Sequence, residues 1–302
     1  MYQRRVVVLA MMMTLVARAD AEPRPPQPQP KQAVAKVGCP SNMVHVRTGS
    51  FVMGSPEGEG DDDEHPQHKV TLSAYCIDKT EVTVAAYHKC VVAGACQAAP
   101  LGVNWGELSE DEKRVYDKFC NGNRADRQTH PVNCVDWDQA KAYCTWAQRR
   151  MPTEAEWEYA ARGTDERKHP WGNEAPDAMK LNACGRECRE FFKRLNMPKT
   201  SMHDEHDGWV STAPAGSYPA GTSPFGAVDM AGNVREWTAD WGGDYPSSAQ
   251  KNPIGPSAGT FRKVRGGGYD DSDVGNVRTA FRDGSAQSLR NFDIGFRCAR
   301  GN

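Results

Sequence analysis

The chain has 302 residues, of which 38% are hydrophobic and 25% charged, a composition that supports either one large globular domain or two small ones. Its formal net charge is only −2. No basic run is interleaved with aromatics, so neither nucleic acid nor an acidic membrane surface is an expected partner.

Residues 1–21 carry Arg4 and Arg5, an apolar run over 6–17, and Ala19, Asp20 and Ala21 as a small-x-small cleavage site. This is the layout of an export signal, and it makes the chain a secreted protein, periplasmic or extracellular. An uncleaved membrane anchor is the alternative, although the run falls well short of the roughly 20 residues that span a bilayer. Residues 22–38 contain PRPPQPQPKQ, which cannot bury a core and reads as an extended linker. The folded domain is therefore expected over 39–302.

Short strands are expected at 51–53 and 70–77. Between them, the acidic run 57–64, with three consecutive aspartates, reads as a solvated loop, and so do His65 and His68. A weaker helix follows at 83–92. A clearer one covers 137–149, where Asp136 and Gln139 can form a capping box and Ala140, Tyr143, Cys144 and Ala147 recur at helical spacing. After Pro152, Thr153 and Glu156 form a second capping box, and Trp157, Ala160 and Ala161 lie on one side of a short helix. His203 and His206 read as solvated loop residues, and further strands are expected at 262–265 and 294–299. With 28 Gly and 20 Pro breaking the pattern, a helical bundle or a doubly wound sheet is disfavoured.

Ten cysteines behind an export signal read as disulfides, because an oxidising compartment makes free thiols the exception. Cys90 and Cys96 flank VVAGA, and Cys184 and Cys188 flank GRE, spacings that suit local bridges. Zinc ligation is the competing reading, but neither paired CxxC nor HExxH occurs.

Several blocks occur in a fixed order: GSFVMGS at 49–55, HPQHKVTLSAYCIDKTEVT at 65–83, HPVNCVDWDQAKAYCTWAQRRMPTEAEWEYAARG at 130–163, and PWG from Pro170. DGWVSTAPAGSYPAGTSPFGAVDMAGNVREWTADW at 207–241, VRGGGY at 264–269 and GFRCAR at 295–300 follow. Together they resemble the formylglycine-generating enzyme family, also called the sulfatase-modifying factor family, over nearly all of 40–300. The resemblance implies an α+β, loop-rich fold related to C-type lectins and stabilised by disulfides and calcium. It also implies a bridge between Cys144 and Cys298. With the two local pairs, that leaves Cys39 with Cys76 and Cys120 with Cys134 by elimination.

Two structural calcium sites are implied by the same resemblance. In one, the side chains of Asp229 and Glu236 and the carbonyls of Gly232 and Val234 surround the ion. In the other, Asn182 and Asp207 act with the carbonyls of Ala183 and Trp209. Oxygen donors interleaved with glycine suit calcium, which takes six to eight such ligands. Where the family commonly has Asn, this chain has Asp229.

The family's oxidases hold Cu(I) with two thiols of the C-terminal loop, one of which engages a substrate cysteine. This chain has Asp271 at the first position and no cysteine within 273–277, where the second falls, and Gly268 replaces the motif serine. Aspartate and asparagine are hard oxygen donors that do not replace thiolates for Cu(I), so copper is not expected. The reading that follows is a family member without formylglycine-generating oxidase activity, acting as a peptide-, glycan- or protein-binding module. The alternative is an oxidoreductase of the formylglycine-generating type, or an enzyme with altered chemistry in the same cleft. For that cleft the candidate polar groups are Asp271, Arg278 and Arg282, the two arginines being equally open to structural pairing with Asp273 or Asp293.

Overall fold

A computed structural model describes residues 38–106, 108–122 and 124–301, all within the unit Val37–Asn302. The expected export signal, and all of the expected linker but its last residue, lie outside the described residues. In chain order the elements are β1 (Met43–Val46), β2 (Gly49–Met53), β3 (His68–Leu72), β4 (Tyr75–Asp78), α1 (Val84–Val92), α2 (Glu110–Tyr116), α3 (Trp137–Trp146), α4 (Glu154–Arg162) and α5 (Arg186–Arg194). Then come β5 (Arg235–Trp241), β6 (Gln250–Lys251), β7 (Arg262–Arg265), β8 (Asp283–Ser285), β9 (Ile294–Gly295) and β10 (Ala299–Gly301). The strands form three small sheets, β1-β4-β10, β2-β3-β6 and β8-β7-β5-β9. The fold is thus α+β, with long irregular connections.

The helices begin where local chemistry places them. Asp136 and Gln139 cap α3 reciprocally, as do Thr153 and Glu156 for α4, satisfying amide hydrogens that the first helical turn cannot. Ser109 and Glu112 do the same for α2, a signal present in the sequence although α2 was not expected. Helix α3 stops at Trp146, short of the expected end at residue 149, because Gln148 takes a φ of 57°. The expected strand 70–77 divides at Ser73 and Ala74 between two sheets. There the Ser73 amide donates to Asn252 Oδ1 and the Ala74 amide to Thr48 Oγ1, so side chains replace the ladder. The expected strand 294–299 divides likewise, β9 pairing with β5 and β10 with β4.

Every residue of α4 is buried, its charged ones included. Its apolar side packs Trp157, Tyr159 and Ala160 against Phe51, Val70 and Ile77. Glu154 and Glu158 meet Arg265, Arg282 and Arg162. A second cluster joins α1, α3, β5 and β9 through Tyr87, Tyr143, Trp237 and Ile294. A third, with Tyr116, Phe119, Phe192, Tyr269 and Phe292, supports the C-terminal loop.

Some residues expected in solvated loops are instead enclosed. Glu64 is fully buried and paired with Arg278, so the acidic run 57–64 is anchored at its end. His68 is buried against Tyr245, and His203 is half-buried beneath Gly185. Among the described residues no helix is long and apolar enough to cross a membrane.

Five disulfides join Cys39 to Cys76, Cys90 to Cys96, Cys120 to Cys134, Cys144 to Cys298, and Cys184 to Cys188. The Cys144–Cys298 bridge spans a sequence separation of 154 and ties α3 to the residue before β10. Closing a loop of that length restricts the unfolded chain by about 5 kcal/mol in the chain-entropy account. Replacing both residues by alanine is therefore expected to lower the unfolding free energy by about that amount, measured by urea denaturation under oxidising conditions.

Candidate functional site

The loop after β7 turns on three glycines. Gly266 and Gly267 hold φ values of 98° and 70°, in the region where only glycine is unstrained. A Cβ on Gly266 would stand 3.0 Å from the Trp157 ring, and one on Gly267 2.8 Å from Val277, so the loop lies directly on α4 and on its own far side. Tyr269 follows, fully buried, with its amide donating to the Asn233 carbonyl.

Asp271 is buried and closes this loop. Its Oδ2 accepts from the Gly268 amide at 2.7 Å and its Oδ1 from Asn276 Nδ2 at 2.7 Å. Its carbonyl accepts from the Cys184 amide at 2.9 Å, fixing the loop to the segment before α5. Asp273 caps the short turn that follows, accepting from the Gly275 amide.

Facing Asp271 is Arg235, the first residue of β5. Its guanidinium pairs with Asp283, lies 3.0 Å from Asp293 Oδ2 and is 3.6 Å from Asp271 Oδ1. Lys199 pairs with Asp270 Oδ2 at 2.6 Å. Asp270 Oδ1, Asp293 Oδ1 and the Tyr269 hydroxyl are buried and have no hydrogen-bond partner. Burial raises the Asp293 carboxyl above its usual range; Arg235 opposes this, while Asp270 and Asp271 add to it. Burial also raises Asp271, again against Arg235. A cavity of about 440 Å³ opens here, lined by Trp105, Arg235, Asp270, Asp283, Leu289 and Asp293.

Of the three cleft candidates, only Asp271 belongs to this group. Arg278 is bound at both nitrogens by Glu64, each at 2.7 Å, and also reaches Ser55. Arg282 is gripped by both oxygens of Glu154, at 2.7 and 2.9 Å, and stacks 3.8 Å from the Tyr245 ring centroid. Neither arginine pairs with Asp273 or Asp293; their partners lie 214 and 128 residues away in sequence. Arg235, Asp270 and Asp283 were not singled out in the sequence, and Asp293 was named there only as a candidate partner for Arg278 or Arg282. Two larger cavities, of about 690 and 470 Å³, share Asn252, Pro253 and Ile254 and contain no residue of the 266–277 loop.

The two oxygen-donor sets differ. In the first, Glu236 Oε1 accepts from Arg297 Nε and Nη2, and Oε2 accepts from Arg297 Nε and Trp157 Nε1. That fills the four acceptor positions of a carboxylate. Asp229 accepts from the Gly216 amide at 2.5 Å. It also neighbours buried Glu81, whose carboxyl is pushed well upward by burial and then by Asp229. As these side chains stand, Glu236 is saturated, while Asp229 keeps acceptor capacity beside Glu81.

The second set is different. Asn182 is buried and donates through Nδ2 to the Ser211 carbonyl and to Asn233 Oδ1, which leaves its own Oδ1 without a partner. Asp207 accepts from the Trp209 and Ala183 amides. Burial first, and Glu187 further, push its carboxyl up to about 7. An orphaned amide oxygen beside a carboxylate destabilised by burial is a donor set that fits a hard cation. The Ala183 carbonyl also accepts from the Gly185 amide, and the position of Trp209 is fixed by its bond to Asp207. Among the described residues no group of three or more His, Cys, Asp or Glu side chains is arranged to hold a metal, so a cation here would rest largely on amide and carbonyl oxygens.

The model of the sulfatase-modifying factor enzyme 1-like domain matches residues 28–302. Formylglycine-generating enzyme of Streptomyces coelicolor is 35% identical over 296 residues, covering 85% of this chain and 88% of its own length. Inactive C-alpha-formylglycine-generating enzyme 2 of Mus musculus is 29% identical over 288 residues, covering 85% of each chain. The solved structure of PvdO from Pseudomonas aeruginosa superposes with a TM-score of 0.64 at 27% identity, covering 86% of this chain and 94% of that one.

Because Arg282 is tied to both oxygens of Glu154, Arg282→Met is expected to destabilise the protein. The change leaves Glu154 with only the 3.4 Å contact to Arg265. Breaking such a buried pair costs about 3–5 kcal/mol. A urea midpoint unchanged by the substitution would show that the pairing is not structural.

Proposed function

The chain belongs to the family of sulfatase-modifying factor enzyme 1-like domains, and from that premise we propose that it is a member without thiol-dependent oxidase chemistry, using its cleft to bind a peptide, glycan or protein ligand. The observation that carries this reading is the Asp271 to Asn276 hydrogen bond of 2.7 Å in the loop where the oxidases' thiols are expected. Among the described residues no cysteine is free, and the five bridges use all ten in the chain. Copper(I) selects soft sulfur ligands, and the carboxylate and amide oxygens here do not fit it. The name of the mouse relative, an inactive formylglycine-generating enzyme, gives a precedent for such a member.

Five bridges in one domain also support export to an oxidising compartment, as the layout of the first 21 residues suggests. In the second donor set a calcium ion would be held by Asn182 and Asp207, assisted by the carbonyls of Ala183 and Trp209. Its role would be to hold the long segment between α4 and β5, which the Cys184 amide ties to the Asp271 carbonyl.

Incubating the protein with Cu(I), oxygen and a Cys-x-Pro-x-Arg peptide is expected to leave the peptide mass unchanged; conversion of the cysteine to formylglycine would overturn the proposal. For calcium, the melting temperature is expected to fall on chelation and to recover when the ion is restored. At a hundredfold excess over Kd the ion contributes about 2.7 kcal/mol. Asn182→Ala should abolish the response, and a chelator-insensitive wild-type protein would rule the ion out.

A further inference from the structure

We propose that the cleft beneath the C-terminal loop is a receptor for an organic ammonium group carried on an aliphatic stem, of the kind a lysine side chain or a free alkylamine presents. The proposal rests on the reading of this cleft as a binding site and names the class of ligand.

Charge is the first reason. Four carboxylates, Asp270, Asp271, Asp283 and Asp293, crowd one region and outnumber the two cations that contact them, Lys199 and Arg235. Both cations are already engaged. Lys199 holds Asp270 through Oδ2, and Arg235 is shared among the other three acids.

Unmet hydrogen bonding is the second. Asp293 is only 2% exposed, lines the cavity, and has an Oδ1 that accepts from nothing. Asp270 Oδ1 is buried and unpartnered in the same way, beside the Tyr269 hydroxyl, which stands behind the lining, and a single unpartnered donor, Arg235 Nε. Buried polar atoms without partners are rare in folded proteins and call for a ligand or water. An ammonium brings three donors and no acceptor, which complements a site of acceptor oxygens.

Space is the third. Gly268 carries no side chain where the family motif has serine. A Cβ at this position would lie 3.1 Å from Asp293 Cβ, 3.4 Å from Asp293 Oδ2 and 3.5 Å from Asp270 Oδ1. A side chain at 268 would therefore press on Asp293 and Asp270, two of the acids that line the cavity. Trp105, 39% exposed, and Leu289 supply apolar walls to the same cavity. Those walls suit a methylene stem, and the indole adds attraction for a cation that approaches its face. A metal ion fits less well, since no three acidic or His side chains converge as ligands among the described residues.

Calorimetric titration of the full chain, without copper, tests this with three ligands: an acetylated, amidated tripeptide with central lysine, the same peptide with norleucine, and 1,5-diaminopentane. The lysine peptide is expected to bind at least tenfold more tightly than the norleucine peptide. Asp293→Asn and Gly268→Ala are each expected to weaken it tenfold or more, and Gly268→Ala does so without altering charge. Melting temperatures of both variants report whether they fold. Binding of 1,5-diaminopentane as tight as the lysine peptide would support the site with a free amine as ligand, and preference for the peptide would support it with a polypeptide ligand. Equal binding of lysine and norleucine peptides, no binding of either amine, or full affinity in folded Gly268→Ala protein would overturn the inference. Those results would leave the non-oxidase reading standing, whereas formylglycine production would remove that reading whatever the amines do.

Discussion

One guanidinium, that of Arg297, joins parts of the chain that no sheet connects. It is fully buried, grips both oxygens of Glu236 on β5, and donates to the carbonyls of Asp78, Lys79, Val228 and Asp229. In a protein of short strands and long connections, many backbone carbonyls have no ladder to enter, and a buried carbonyl without a donor is costly. The planar fork of arginine satisfies several at once and carries a charge that Glu236 balances. Arg265 repeats the solution next to α4, donating to the Thr279 and Ala280 carbonyls while pairing with Glu158. Such pairs add little net stability over an apolar core of the same volume, but losing one partner strands a charge. They therefore specify the arrangement of the loops more than they strengthen it.

This explains what the sequence discloses and what it conceals. Capping boxes are local, so Asp136 with Gln139 and Thr153 with Glu156 place two helix starts without tertiary information. Strand ends are not local. Nothing near Leu72 says that the next sheet begins at Tyr75, because the hydrogen bonds that terminate β3 come from Thr48 and Asn252. The arginine pairings are harder still. Sequence proximity suggests Asp273 or Asp293 for Arg278 and Arg282, whereas the structure supplies Glu64 and Glu154. Asp271 is legible because it occupies a motif position. Arg235 and Asp293 become part of the same site only when β5, β9 and the 266–277 loop are brought together, as the Arg235 amide to Asp293 carbonyl bond shows.

The cleft shows how the scaffold holds its C-terminal loop in place. The glycines at 266 and 267 preserve the close approach of the loop to Trp157, and Tyr269 stays packed among Phe119 and Phe292. Within that frame the side chains that line the loop are oxygen-bearing and charged. Charge and hydrogen bonding are therefore the interactions these side chains can offer.

The β1-β4-β10 sheet has a geometric corollary. Because β1 and β10 both pair antiparallel to β4, they run alongside each other on its two flanks. At about 4.8 Å between neighbouring strands and about 3.3 Å per residue, Met43 and Gly301 are separated by roughly 10 Å across the sheet and roughly 10 Å along it. A bridge of a few residues would join them at small entropic cost. With residues 39–42 kept so that the Cys39–Cys76 bridge survives, the domain can be spliced into a surface turn of a host protein, or cut open elsewhere and rejoined at this seam.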